Sequence, residues 1–340
     1  MYSNSVVHGG DIHWAEREFG HPPNGWLDLS TGINPFPYPV DGVPVTAWTR
    51  LPDTGADRAL REATVEYYRV GDVALVVAAP GSQALIQYIP RLRPPSQVAV
   101  IGPTYCEHAR TWASAGHSVD TIADFDHAGP EIDVIVVTNP NNPDGRVSPL
   151  RRLMEIADRL SRRGGLMVVD EAFADLDPAN SVAPYAGAPG LMVLRSFGKF
   201  FGLAGLRLGF GLAAPGLIDS LRDALGPWAV SGPAAQVATR ALRDTAWIAG
   251  TRVRLAKGAA RLDALLGDAG LPVAGGTALF RLVAGVAARD LFAHLGRRGI
   301  LVRHFPDRPD WLRFGQPGDD AGYARLAEAL AARPGKQRRG

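Results

Sequence analysis

Short runs rich in Val, Ile and Leu recur through the first two thirds of the chain, at 74–79, 97–101, 132–138, 166–170, 191–195 and 208–212. Runs of this length, apolar throughout, predict strands buried on both faces. Between them, 83–92 and 150–162 carry apolar residues at helical spacing. Strand alternating with helix predicts an α/β large domain over 46–235, with a mostly parallel central sheet covered by helices on both faces. Beyond it, helical patterns at 234–243, 253–266 and 288–298 alternate with apolar runs at 278–283 and 300–302. These predict a smaller α+β domain over 236–335. Residues 1–45 are rich in Gly, Pro and Asn, and Asn34-Pro35-Phe36-Pro37-Tyr38-Pro39 is too proline-dense for helix or central strand. They read as an extended or looped N-terminal arm joining the small domain.

Composition narrows the function. With 46% hydrophobic and 21% charged residues, the 340-residue chain can bury a core and does not read as disordered. A net charge of +2, with arginine pairs scattered along the sequence, points away from nucleic acid. The Lys336-Gln337-Arg338-Arg339 run reads as a frayed tail. Cys106 is the only cysteine, so no intrachain disulfide forms, and it is expected as a buried, inert thiol. No apolar run is long enough for a membrane span, and the N-terminus lacks a signal-peptide core; a cytoplasmic enzyme is expected. Lysine occurs only three times, at 199, 257 and 336, against 33 arginines. Chemistry that requires an amine therefore has three candidates.

The richest stretch is Ser196-Phe197-Gly198-Lys199, followed by an apolar, glycine-rich segment to Arg207. A lysine just past a strand end in such surroundings is easily desolvated, and the neutral amine is the form that attacks an aldehyde to make a Schiff base. Ser196 and Arg207 suit a phosphate; a surface lysine beside a hairpin is the bland alternative. Asp170 closes another buried strand, where open α/β sheets place ligands, and can keep a pyridinium nitrogen protonated. Asn142, in the turn Asn139-Pro140-Asn141-Asn142-Pro143, can reach a phenolic oxygen. Gly81-Ser82-Gln83 sits between a strand and a helix, with backbone N–H groups for a phosphate. Tyr105, after a fourth strand, can stack on a ring. Singly, Asp170 reads as a helix cap and Tyr105 as core. Together, they complement one cofactor, pyridoxal 5′-phosphate.

The order Gly81-Ser82-Gln83, Tyr105, Asn142, Asp170, Ser196, Lys199, Arg207 resembles the class I/II aminotransferase superfamily of fold-type I PLP-dependent enzymes, over nearly the whole chain. In that superfamily the matching positions in turn bind the cofactor phosphate, stack on its ring, bond its O3′, pair with its ring nitrogen, bind phosphate, form the Schiff base and bind phosphate.

Within the superfamily two branches are similar, the histidinol-phosphate aminotransferases and the threonine-phosphate decarboxylases of cobalamin biosynthesis. The second matches better, through His8-Gly9-Gly10 and the stretch Leu27-Asp28-Leu29-Ser30-Thr31-Gly32-Ile33-Asn34-Pro35. That resemblance implies decarboxylation of L-threonine O-3-phosphate to (R)-1-amino-2-propanol O-phosphate. His8 and Gly9 are then on the substrate phosphate, Gly32, Asn142 and Arg303 near the substrate, Arg313 on its carboxylate, and the enzyme a homodimer. An aminotransferase on histidinol phosphate or a related amino acid, and a non-catalytic cofactor-binding or scaffold protein, are the rivals. The chain departs from the pattern at several places. Phe173 stands for a tyrosine that bonds O3′, Leu51 for a tyrosine reaching a neighbouring subunit's cofactor, and Gly198 for a phosphate-binding serine. Gly32 replaces a substrate-facing asparagine and Asp11 an asparagine found in some relatives.

Overall fold

The structure is a computed structural model describing residues 8–333; the 336–339 tail lies outside them. The strands are β1 (Leu27–Leu29), β2 (Val76–Ala79), β3 (Gln97–Ile101), β4 (Ser118–Ile122), β5 (Val134–Thr138), β6 (Leu166–Asp170), β7 (Leu191–Ser196), β8 (Gly209–Ala213), β9 (Val273–Thr277), β10 (Phe280–Val283), β11 (Ile300–His304) and β12 (Leu312–Gly315). The helices are α1 (Ile12–Phe19), α2 (Val45–Thr49), α3 (Thr54–Tyr68), α4 (Ser82–Tyr88), α5 (Glu107–Ser114), α6 (Leu150–Ser161), α7 (Phe197–Phe200), α8 (Pro215–Leu225), α9 (Gly232–Arg243), α10 (Thr245–Asp268), α11 (Ala288–Gly296) and α12 (Asp320–Ala331). Among the described residues no helix is long and apolar enough to cross a membrane.

The chain divides into two compact units. One spans 37–250, so α9 belongs to it, although the sequence pattern ends the large domain at 235. Its sheet has the order β2-β8-β7-β6-β5-β3-β4, and all neighbours run parallel except β8, which is antiparallel to both β2 and β7. Strands β5 and β6 are buried at every residue, as continuous apolar runs require when helices cover both faces. The edge strand β4 is half polar, Ser-Val-Asp-Thr-Ile, and for that reason does not read as a strand from the sequence.

Among the described residues, the other unit joins 8–36 to 251–333. Its sheet has the order β1-β11-β12-β10-β9, with β1 parallel to β11 and the remaining pairs antiparallel. The N-terminal segment is therefore more than an arm: it supplies an edge strand and a helix. Asp11 caps α1 by accepting from the Trp14 N–H at 2.8 Å, and Trp14 and Phe19 pack against Phe292 of α11. The local cap and these distant aromatic contacts together outweigh the glycine- and proline-rich composition.

Below the edge of the larger sheet, Arg195 is fully buried. It donates to Glu171 at 2.6 Å and to Asp175 at 2.7 Å, with its guanidinium 4.2 Å above the Tyr68 ring. Glu171 also accepts from Ser181 Oγ and the Val182 N–H, both at 2.6 Å. Burial pushes the Glu171 pKa up, while Arg195 and these donors pull it down. Removing one partner of such a network strands the others without water. Arg195→Met should cost about 3–5 kcal/mol in denaturant unfolding; a loss under about 1 kcal/mol, as an exposed pair would show, counts against the network's role.

Candidate active site

One edge of the larger sheet collects the chemistry. The carboxyl ends of β2, β3, β5, β6 and β7 lie there, together with the start of antiparallel β8. The register shows the alignment: Ala79 faces Gly209, Gly209 faces Ser196, and Thr138 faces Asp170. Six sequence-predicted positions therefore stand on consecutive turns along this edge: Gly81-Ser82-Gln83, Tyr105, Asn142, Asp170, Ser196 with Lys199, and Arg207. Lys199 is partly buried on the short α7, and its Nζ lies 5.8 Å from the centre of the Phe173 ring.

Two glycines shape a cradle at this edge. Gly81 has φ +84°, and a Cβ there would lie 2.7 Å from Nη2 of Arg207. Gly209 packs so closely that its Cβ would lie 2.3 Å from the Ser82 nitrogen, covering an N–H of the first turn of α4. Arg207 itself is left-handed at φ 51° and anchors one nitrogen on the Ala204 carbonyl at 3.1 Å. Of the three asparagines in the β5 turn, Asn139 is tied to Ser148, and Asn141 to Pro103 and Asp144. Asn142 is less buried than either of these.

Asp170 is buried, with both oxygens engaged: Ala172 N–H donates to Oδ1 at 3.1 Å and His108 Nε2 to Oδ2 at 2.9 Å. His108 escapes sequence reading because a lone histidine on a helix carries no signal; its only hint is its place three residues after Tyr105. Cys106, expected buried, is exposed. It precedes the first residue of α5, outside the stripe that packs on the sheet.

In the smaller unit, His8, Gly9, Ser30 and Arg303 line one small pocket, with His304 beside them. Ser30 is its hub and was not singled out from the sequence. Its Oγ accepts from the Gly10 N–H at 2.7 Å and donates to Asp28 at 2.5 Å, and its carbonyl accepts from Arg313 at 2.9 Å. Gly9 is seated against that carbonyl; a Cβ would approach to 2.4 Å. Gly32 is buried just past β1. Arg303 and Arg313 are direct partners across β11 and β12. Burial, reinforced by the Arg303 charge and opposed by Asp28, pushes the Arg313 pKa down to about 9.

The sequence pattern of class I and II aminotransferases matches residues 45–330. The chain is 48% identical over 332 residues to a threonine-phosphate decarboxylase of a Sinorhizobium species, covering 97% of this chain and 98% of that one. It is 46% identical over 327 residues to a threonine-phosphate decarboxylase of Pseudomonas aeruginosa, covering 96% and 97%. A histidinol-phosphate aminotransferase from Sinorhizobium meliloti, solved with pyridoxal 5′-phosphate, shares the fold with a TM-score of 0.83 at 22% identity, covering 96% and 94%. The chain belongs to the class I and II aminotransferase family. Its cofactor is pyridoxal 5′-phosphate.

The larger unit's edge fits that group. It presents a lysine, a buried carboxylate with both oxygens fixed, and a glycine-lined cradle that side chains at 81 or 209 would fill. The family departures also have local reasons. A Cβ at Gly198 would lie 2.7 Å from the Ala204 Cα, so a serine does not fit beneath the 204–206 turn. Asp11 is occupied as the α1 cap. Phe173 is buried and offers no hydroxyl.

Arg313 is held charged at a cost. Its pKa is below that of the unfolded chain, so the unfolded state binds the proton more tightly and the charged form weighs against folding at neutral pH, a cost that eases as pH rises through about 9. Removing the guanidinium should therefore leave the substrate-free protein at least as stable. Arg313→Met is expected to match or exceed the wild-type Tm at neutral pH. A Tm several degrees lower would show that Arg313 holds the fold together.

Proposed function

We propose that this protein decarboxylates L-threonine O-3-phosphate to (R)-1-amino-2-propanol O-phosphate and CO2, the step its resemblance places in cobalamin biosynthesis. The observation that carries this reading is the Arg303–Arg313 register pair beside His8. Like charges set opposite one another across two strands are unfavourable alone, and they suit a substrate that brings two anions. Threonine phosphate brings a carboxylate and a phosphate, whereas histidinol phosphate carries only the phosphate. High identity to threonine-phosphate decarboxylases over nearly the whole chain supports the same choice.

When bound, pyridoxal 5′-phosphate supplies an aldehyde that exchanges amines and a ring that accepts the electron pair released at the substrate Cα. In this reading Gly81, Ser82, Ser196 and Arg207 hold its phosphate, Tyr105 stacks on the ring, and Asn142 bonds O3′. Asp170 would keep a proton on the ring nitrogen, and the His108 N–H holds the Asp170 carboxylate in position. Lys199 provides the amine that anchors the cofactor and afterwards returns a proton to Cα. Arg313 would take the carboxylate and His8 with Gly9 and Arg303 the phosphate, so that binding of the two anions would orient the substrate.

We also read the enzyme as a homodimer. Val45, Trp48 and Leu51 are exposed at 74%, 68% and 66%, and Trp228, near the start of α9, at 60%. The α2 backbone packs on that same helix start, where a Cβ at Gly232 would meet the Ala47 carbonyl at 2.3 Å. An apolar patch of this kind marks an association surface. Sedimentation should give a dimer at assay concentration; an active monomer would contradict this.

Purified protein loaded with the cofactor should release CO2 from L-threonine O-3-phosphate without any 2-oxo acid. Lys199→Ala should abolish this, while Lys257→Ala leaves it intact. A requirement for a 2-oxo acid would replace this reading with transamination, and equal behaviour of the two lysine variants would remove Lys199 from its role.

His8→Ala should lower kcat/KM for the phosphorylated substrate roughly ten- to a hundredfold, the loss of a hydrogen bond to a charged group. Threonine itself should be affected far less. Equal losses on the two substrates would show that His8 supports the N-terminal segment and does not read the phosphate.

A further inference from the structure

Gln83 stands in the phosphate-cradle turn, yet its side chain is committed elsewhere. Tyr105 Oη donates to Gln83 Oε1 at 3.1 Å, and Gln83 Nε2 donates to Glu107 Oε2 at 3.4 Å. The amide cannot be turned round. Glu107 is buried and as a carboxylate only accepts, so the nitrogen must face it and the oxygen must face the phenol. Arg110 donates to the other Glu107 oxygen at 3.3 Å, fixing the acceptor. On its far side the Tyr105 ring meets His108 edge to face, with centroids 6.0 Å apart, and His108 is the donor to Asp170. The tyrosine ring is thus tethered at its hydroxyl by Gln83 and bounded by the histidine that orients Asp170.

We propose that Gln83 is a positioning residue that sets the plane of Tyr105 through the tyrosine hydroxyl, and that its side chain does not bind the cofactor phosphate. This rests on the reading that Tyr105 stacks on the bound ring. One residue of the α4 first turn then couples the phosphate cradle to the ring platform: the backbone of the turn shapes the cradle, and the side chain of the same turn aims the aromatic. A tyrosine is required at 105 for its tether as well as for its face.

The test is a double-mutant cycle on cofactor binding to the apo-protein, read by fluorescence titration and by the induced circular dichroism of bound pyridoxal 5′-phosphate. Gln83→Ala should weaken binding roughly three- to tenfold, the scale of one hydrogen bond, and reduce the induced signal. Tyr105→Phe should do the same. In the Tyr105→Phe background, Gln83→Ala should add less than about a twofold change, because the tether is already gone. Gln83→Met, of similar size and without the amide, should behave like Gln83→Ala with an unchanged apo-protein Tm, which separates lost tethering from lost packing. A Gln83→Ala loss that persists undiminished in the Tyr105→Phe background would overturn the proposal, since Gln83 would then act on the cofactor directly. Wild-type binding in both Gln83 variants would overturn it as well. If Tyr105→Ala bound the cofactor as tightly as wild type, stacking by Tyr105 would be the reading that fails, and the proposal would fall with it.

Discussion

Holding the buried Asp170 carboxylate in one place is the constraint on which the larger unit's edge depends. A carboxylate without water needs donors of fixed position, and this one has two, a backbone N–H two residues ahead and the His108 imidazole. The strand that carries it is buried at every residue, and its register with β5 and β7 leaves it no freedom to slide. Its neighbour Glu171 points the other way along the chain's alternation and is absorbed by Arg195, Ser181 and Val182. Two adjacent acids on one strand end thus have opposite fates: one is bound into the fold by Arg195, and one is held at the edge by His108 and a backbone N–H.

Antiparallel β8 has a consequence that an all-parallel sheet would not give. Because it runs against its neighbours, its beginning lies at the same edge as the ends of β2 and β7. Arg207, just ahead of β8, is thereby brought over Gly81, just past β2, although 126 residues separate them in sequence. The left-handed backbone at Arg207 and the positive φ at Gly81 are the local conformations needed for that approach. The close contacts of Gly81 and Gly209 then follow from one requirement, that backbone N–H groups and a guanidinium converge on the same small volume.

How much of this is legible in the sequence depends on how local the cause is. The buried strands carry their own signal, since residues such as Val134 to Val137 are apolar on both faces and end at a turn. Lys199, Asp170 and Arg207 are readable because each sits at a strand end and has a chemical type with a narrow range of uses. Edge strand β4 is not readable, because its polar residues meet solvent, and neither are β1 and α1, whose stability comes from partners such as Ile300 and Phe292 far along the chain. His108 and Ser30 are invisible for the same reason. Their importance lies in what they touch, Asp170 in one case and Gly10, Asp28 and Arg313 in the other, and spacing encodes none of those contacts.

The two units use opposite electrostatic strategies, and the difference matches what each must hold. At the edge of the larger one the buried charge is compensated within the protein: Asp170 has its donors, and Arg195 its two carboxylates. In the smaller one Arg313 lies buried opposite Arg303, with Asp28 as the opposing charge, and its pKa is pushed down as a result. A fully compensated cluster gains little from a ligand, because the ligand must displace partners already present. Where two guanidinium groups face each other across two strands, an anion that reaches them interacts with both, and the gain is larger because Arg313 is already desolvated. The stability given up at Arg313 is thus available as binding energy for an anionic substrate group, with the selectivity that comes from two guanidinium groups at a fixed cross-strand spacing.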